Sequence, residues 1–291
     1  MHGVLVVDKP AGLSSAATVH DVKRMLRVER AGHGGTLDPL ATGVLPVCLN
    51  AATKLAQFLL ADDKVYEATG VFGIETDTLD RTGRVTAERP VEVTEAALRA
   101  ALARRTGEQD QIPPMFSAIK QAGVRMYHRA RAGEQVQRTA RRIRIDRLEL
   151  LAFDPPRFRV AIACGKGTYV RSVVSDLGTD LGCGAHLAEL RRTRSGRFTL
   201  DAAIRLDAIG SADLAAVLIP LGCVTGLPTA IANSAQIMPI RSGLQLPTDT
   251  FPDLNGETFQ IVDQDNRLVA IVHAEAGRIR YDRVFPDDAT S

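Results

Sequence analysis

The sequence predicts a mixed α/β body followed by a small β-rich tail, and three observations carry that expectation. Residues Arg157–Cys164 alternate, with Phe158, Val160, Ile162 and Cys164 pointing one way, which is the period of a half-buried strand. Just beyond, Val170, Val173, Val174 and Leu177 stand at i, i+3, i+4 and i+7, the period of an amphipathic helix. After residue 225 the texture changes. Pro228, Pro239, Pro247 and Pro252 punctuate short apolar runs, and FQIVD, RLVAIVHAE and RIRYDRVF then read as strands. A chain of 291 residues has room for two domains at roughly 100–200 residues each. The texture places their boundary near residue 227, giving 1–227 and 228–291.

The remaining elements follow in chain order. Gly3–Asp8 is a short apolar run that reads as a buried strand, and the turn KPAGLSS closes it. Ser14 and Ser15 are N-cap residue types, so a helix is expected after them with Val19, Val22 and Leu26 on its apolar face. Thr94–Leu102 reads as another helix, with Leu98, Ala101 and Leu102 on one side. The loop GKGT places Tyr169 and Arg171 where a strand hands over to the helix of Val170. Ser211–Leu221 is expected to be helical, burying Leu214, Val217, Leu218 and Leu221.

Composition and charge narrow the function classes. A hydrophobic fraction of 45% and a charged fraction of 24% belong to a folded globular chain, which excludes disorder, collagen-like repetition and coiled coil for most of the length. The longest apolar stretch, Leu214–Val224, is interrupted by Pro220 and falls far below the roughly 20 residues that span a bilayer. The start MHGVLVVDKPAG lacks the basic flank and long apolar run of a signal peptide. Cys48, Cys164, Cys183 and Cys223 stand apart, with no metal-ligand spacing, so a reducing, cytoplasmic setting is expected.

The net charge of +2 conceals a strong asymmetry. Ala118–Arg147 holds nine Lys/Arg against two acids: Lys120, Arg125, Arg129, Arg131, Arg138, Arg141, Arg142, Arg144 and Arg147 against Glu134 and Asp146. Arg191, Arg192, Arg194 and Arg197 form a second cluster, whereas Thr248–Ser291 reverses the sign with nine acids against four arginines. Local positive density with Tyr127 and His128 inside it points toward a polyanion such as nucleic acid. A solvated basic face is the plain alternative.

The stretch RAGHGGTLDPLATGVLP, Arg30–Pro46, sets His33, three glycines, Thr36 and Asp38 close together outside any helical or strand period. Glycines let backbone turn tightly and approach a ligand, and Asp38 before Pro39 is biased toward extended geometry. A carboxylate there suits a nucleophile, a base or a ligand; alternatively, Asp38 caps a short helix with Pro39 at its first position. No GK[ST] follows and no GxGxxG spacing is present, so neither nucleotide-phosphate loop applies.

GHGGTLDPLATGVLP resembles the signature of the TruB family of bacterial tRNA pseudouridine-55 synthases around their catalytic aspartate. Further matches follow in the family's order. They are VVDKPAGLSS, DKVYEA at 63–68, PPMFSAIKQAGVRMYHRARAGE at 113–134, GKGTYVRSVVSDLG at 165–178 and GAHLAELRRTRSG at 184–196. The resemblance implies a pseudouridine-synthase fold, with a mixed, largely antiparallel sheet flanked by helices, a basic RNA-gripping insertion at about 113–147 and a PUA-like C-terminal domain. It also implies an isomerase that flips the T-loop uridine out of tRNA, cleaves its glycosidic link and rejoins the base through C5. No nucleotide cofactor or metal is then expected, and the partner is the tRNA T-arm, with no membrane, no obligate protein partner and a monomeric state.

Residue by residue, the resemblance makes Asp38 the catalytic aspartate, Arg171 the arginine that pairs with it, and Tyr66 the tyrosine that stacks on the base. Tyr169 and Leu190 match walls of the uracil pocket, Lys9 with Pro10 supports the active-site loop, and His33 lies beside the flipped nucleotide. Lys120, Arg125, Arg129, Arg141 and Arg142 are expected to grip phosphates. Gly34 stands where the family carries a larger residue, which is expected to loosen the loop. Two rival functions remain open here. One is a non-catalytic tRNA-binding folding chaperone; the other is a nucleoside or glycoside hydrolase, which would want a second carboxylate beside Asp38.

Overall fold

The computed structural model describes residues 1–116, 120–121, 124–125, 138–252 and 258–285. The chain forms two compact units that are discontinuous in sequence. The first comprises Met1–Pro39, Gly43–Leu60 and Gly196–Ser291, the second Leu40–Thr42 and Ala61–Ser195.

In the first unit, β1 (Gly3–Lys9) is almost wholly buried, as its unbroken apolar run requires. Helix α1 (Ser15–Leu26) begins where the Ser14 side chain accepts the Ala17 N–H at 3.1 Å, and it buries Val19 and Val22. Leu26 is only half-buried. The short strand β2 (Ala31–His33) pairs with β3 (Thr42–Leu49), and β3 runs antiparallel along all of β1, from Gly3 opposite Leu49 to Lys9 opposite Gly43. A 3-10 turn (Asn50–Leu55) and α2 (Ala56–Ala61) follow.

The second unit is built on an antiparallel sheet. It contains β4 (Lys64–Phe72), the hairpin β5 (Ile74–Thr76) and β6 (Val85–Glu88), α3 (Glu95–Arg104) and β7 (Gly107–Gln111). The two-residue strands β8 (Lys120–Gln121) and β9 (Val124–Arg125) pair with each other. The long strands β10 (Arg141–Asp154) and β11 (Arg157–Cys164), helix α4 (Val170–Asp180) and strand β12 (Ala185–Ser195) complete it. The main strands lie in the order β12–β4–β11–β10–β7, with α4 packed on β12 and α3 on β10. Along β4 the buried residues alternate because one face of the sheet is covered. Gly70 sits opposite Phe158, whose ring leaves no room for a Cβ at that position and stacks on Phe72 with centroids 4.3 Å apart.

The chain then returns to the first unit through β13 (Phe198–Thr199) and β14 (Ile204–Arg205), the latter parallel to β1. The helix expected over Ser211–Leu221 is far shorter. Only α5 (Leu214–Val217) is helical, and β15 (Leu218–Ile219) pairs antiparallel with β1. Pro220 explains the difference, since it pushes Ile219 into extended geometry and the chain finds a ladder partner instead. A four-stranded sheet ends the chain: β16 (Thr229–Ile231), β17 (Thr258–Val262), β18 (Leu268–Glu275) and β19 (Arg278–Val284), with α6 (Ser234–Arg241) before β17. Asn233 and Gln236 form a capping box that starts α6. Val262, Ile271 and Phe285 share a core with Val4, Val44 and Leu55, so this sheet packs on the N-terminal strands of its own unit. The fold is mixed α+β, as expected. No helix among the described residues is long and apolar enough to cross a membrane.

Candidate active site

Asp38 lies on a loop whose two flanks are fastened to the turn after β1. Ser15 Oγ donates to Leu37 O at 2.9 Å and accepts from Leu37 N at 2.7 Å, while Pro39 O accepts the Gly12 N–H at 2.8 Å. Lys9 is fully buried, and its ammonium donates to Leu13 O at 2.6 Å, Pro10 O at 2.8 Å and Pro39 O at 3.4 Å. A cation offered to converging carbonyls in a dry interior holds both backbone segments at once. The half-buried Asp38 is thereby fixed on each side. No helix begins at Pro39, where the chain makes a turn, so the capping role considered for Asp38 does not arise.

The glycine run is tightly used. Gly35 adopts φ +149, and Gly34 donates to Pro46 O at 2.9 Å. A Cβ on Gly34 would stand 2.7 Å from Leu59 Cβ, so the space a larger residue needs is filled by Leu59. The loop is packed at Gly34, contrary to the expected loosening. His33 ends β2, half-buried opposite Val47.

The second unit carries the other candidates. Tyr66 lies on β4, 8% exposed, opposite Ile162 on one side and Arg192 on the other. Leu190 is buried two residues along β12, opposite Ala68, so it shares the sheet face with Tyr66. Tyr169 is the N-cap of α4 and makes no side-chain cap. Arg171, in the first turn of that helix, is buried. Its Nη1 donates to Thr78 O at 3.0 Å and lies 3.6 Å from Asp80 Oδ2, and its Nη2 donates to Phe116 O at 2.8 Å.

Asp80 is the residue the sequence reading missed. Its Oδ1 accepts from Thr78 Oγ1 at 2.9 Å, Thr82 N at 2.9 Å and Thr82 Oγ1 at 2.6 Å. The one signal for it is the flanking of an acid by threonines two residues away on either side, a pattern that closes local side-chain turns. A second buried acid therefore exists, but it is already engaged on both oxygens, as a structural anchor would be.

The basic segments divide unevenly. Arg141 is exposed on β10, while Arg142 lies 3.2 Å from Glu108 and 3.9 Å from Asp110. Arg129, and the side chains of Lys120 and Arg125, lie outside the described residues, as do Tyr127 and His128. In the second cluster, Arg192 is 1% exposed and Arg197 donates to Cys223 O at 2.7 Å and Thr225 O at 3.2 Å. Arg192 therefore serves the interior and Arg197 ties the chain to the segment after β15, while Arg194 and Arg197 remain exposed.

Burial pushes the Cys48 thiol up to about 12 and the Cys164 thiol up to about 11, which keeps both protonated at neutral pH and unsuited to nucleophilic work. No grouping of three or more potential metal ligands occurs among the described residues.

Comparison with known proteins follows the same lines. Residues 23–170 match the family described as TruB family pseudouridylate synthase, N-terminal domain, and residues 171–220 match the tRNA pseudouridylate synthase B C-terminal domain. A tRNA pseudouridine synthase B from Aromatoleum aromaticum is 53% identical over 207 residues, covering 71% of this chain and 67% of that protein. Its counterpart in Burkholderia lata is 43% identical over 291 residues, covering 98% and 90%. Among solved structures, a Cbf5–Nop10–Gar1 complex aligns with a TM-score of 0.76 at 28% identity, covering 99% of this chain and 87% of the matched one. An archaeal box H/ACA Nop10–Cbf5 complex gives 0.75 at 27%.

Proposed function

Because the chain belongs to the TruB family of pseudouridylate synthases, we propose that it isomerises the T-loop uridine at position 55 of tRNA to pseudouridine. In that reaction the N1–C1′ bond breaks, the uracil rotates, a C5–C1′ bond forms, N1 gains a proton and C5 loses one. Atoms and electrons balance without an oxidant or a co-substrate.

Asp38 is the carboxylate that drives the exchange. The observation that carries this is the fastening of Leu37 and Pro39 on either side of it, which presets its position before substrate arrives. Arg171 is the arginine paired with it in the family, and Tyr66 supplies a ring face for the flipped base. Extruding a base costs a few kcal/mol in lost stacking and pairing, and one aromatic contact returns about 1–3 kcal/mol. Tyr169 and Leu190 line the uracil pocket, Lys9 supports the Asp38 loop, and His33 meets the extruded nucleotide. Lys120, Arg125, Arg129, Arg141 and Arg142 hold phosphates of the T-arm, so binding weakens as salt rises. Residues 1–227 act as the catalytic domain and 228–291, which carry β16–β19, as a PUA-like domain. The protein works in the cytoplasm as a monomer.

The test is tritium release from a tRNA transcript labelled at C5 of uridine, with a chelator present and no nucleotide added. Release restricted to the T-loop uridine and lost in Asp38→Asn supports the reading. Tight tRNA binding with no release by the wild-type protein overturns it in favour of the chaperone.

A further inference from the structure

We propose that Gln111 is a positioning residue for the reaction: its buried side-chain amide sets the backbone of Tyr169 and with it the start of helix α4. The inference rests on the reading of Tyr169 as a wall of the uracil pocket.

Helix α4 starts without a side-chain N-cap. Tyr169 occupies the N-cap in extended geometry, φ −101 and ψ 109, and a phenol cannot reach back to cap the helix as Ser, Thr, Asn or Asp would. The support comes from the end of β7. Gln111 Nε2 donates to Tyr169 O at 3.1 Å, and Gln111 Oε1 accepts the Tyr169 N–H at 2.8 Å. The Tyr169 N–H and carbonyl thus both meet a single amide, as a hydrogen-bonded pair does in an antiparallel ladder, while the same carbonyl also accepts the Val173 N–H at 3.1 Å as the first bond of α4. The sequence shows why a side chain does this. Ile112-Pro113-Pro114 carries the chain out of the sheet, and two prolines have no N–H to continue a ladder.

The amide can sit only one way. Turning it over would oppose carbonyl to carbonyl and N–H to N–H, so its partners dictate its orientation. Gln111 is 3% exposed, and water cannot replace the lost bonds cheaply. The neighbouring bonds fasten the same two segments without touching Tyr169: Ser172 Oγ donates to Ile112 O at 3.1 Å, and Arg171 Nη2 to Phe116 O at 2.8 Å. Gln111 is the member of this lacing that holds the backbone of the pocket residue itself.

The experiment compares Gln111→Met, Gln111→Glu and Ser172→Ala with the wild-type chain, reading kcat and KM on T-arm RNA alongside Tm. Methionine keeps the volume and removes both bonds, whereas glutamate keeps the acceptor and removes the donor. For Gln111→Met, kcat is expected to fall about 10- to 100-fold with KM within about twofold, the size of loss that small misplacements cause. Ser172→Ala should lower Tm and leave kcat within about twofold, since it loosens the same junction away from Tyr169. If Gln111→Met does not fold, Gln111→Glu is read in its place by the same criterion. A folded Gln111 variant with wild-type kcat, or an equal loss of kcat in Ser172→Ala, overturns the assignment. An inactive wild-type protein overturns the functional reading itself, whatever the variants do.

Discussion

Arg171 Nη1 stands 3.6 Å from Asp80 Oδ2, with the two side chains only 4% and 5% exposed. Asp80 spends its other oxygen on the Thr78 and Thr82 hydroxyls and the Thr82 N–H, so it is fixed before it meets the arginine. Arg171 in turn binds the carbonyls of Thr78 and Phe116. The guanidinium is thus held by Asp80 and by the Thr78 and Phe116 carbonyls of its own unit, the use to which a forked, rigid cation is best suited.

Asp80→Asn should therefore keep the turn and misdirect the arginine. Its carboxamide still accepts from threonine but has no charge to offer, so kcat is expected to fall at least about tenfold and Tm to drop, though less than when the threonine bonds are lost as well. Asp80→Ala removes one member of a buried pair and should cost about 3–5 kcal/mol of stability as well. Thermal unfolding beside steady-state kinetics separates the two outcomes. Equal kcat in Asp80→Asn and wild type would remove Arg171 positioning from the account.

Lys9 makes a different kind of fastening. Its ammonium satisfies carbonyls on both the β1 turn and the Asp38 loop, at Leu13, Pro10 and Pro39. Lys9→Met retains the stem and loses the donors. Stability should drop by about 1.5–3 kcal/mol per charged hydrogen bond that is not replaced, and kcat should fall with the loosened loop. Urea unfolding midpoints and kcat for the same preparation check this. An unchanged midpoint would mean that Lys9 contributes nothing to holding the loop.

What was legible in the sequence was local. The alternation of Phe158, Val160 and Ile162 and the spacing of Val170, Val173 and Leu177 each encode a period that a single element must obey, and β11 and α4 obey it. Ser14 announced α1 for the same reason. The misses are all matters of long range. Asp80 gains its meaning from Arg171 and Gln111 from Tyr169, partners far along the chain that no window contains. Arg192 and Arg197 count as surface charge until the fold buries one and gives the other to the Cys223 and Thr225 carbonyls. Leu218 and Ile219 fit a helical stripe, yet the empty edge of β1 and the constraint from Pro220 claim them for a strand.

Gly34 and Leu59 form a complementary pair. With a Cβ at position 34 only 2.7 Å from Leu59 Cβ and 2.9 Å from its Cδ1, a larger residue there must displace packed side-chain atoms. Gly34→Thr should destabilise the first unit by about 1–3 kcal/mol, the usual cost of overpacking. Leu59→Ala alone opens a cavity, because Leu59 is 1% exposed in a dense core. In the double variant each change fills or relieves the other, so a double-mutant cycle should give a favourable coupling of at least about 0.5 kcal/mol. Strict additivity would show that the loop yields at Gly34 and that the packing does not restrain it.

Arg105 and the end of α4 set an acid-sensitive contact. Arg105 grips Asp180 through Nε and Nη2, both at 2.7 Å, and reaches Asp176 at 3.3 Å. Hydrogen bonds from Arg105 hold the Asp180 carboxyl below the ordinary range, while burial pushes Asp176 above it. The two groups therefore respond to pH with opposite signs. Asp180 contributes stability that is full above the unfolded carboxylate value of about 3.9 and is lost as pH falls through its lowered folded value. Asp176 contributes below the unfolded value, and that contribution disappears as pH rises through its raised folded value. Asp180→Asn should cost about 1 kcal/mol at neutral pH, with the difference closing as pH falls through the lowered folded value of Asp180. Asp176→Asn should be neutral or slightly stabilising at neutral pH, where a partly buried charge is removed. Thermal unfolding of both variants across the acid range reads the two signs directly, and parallel curves for the two would contradict the opposed assignments.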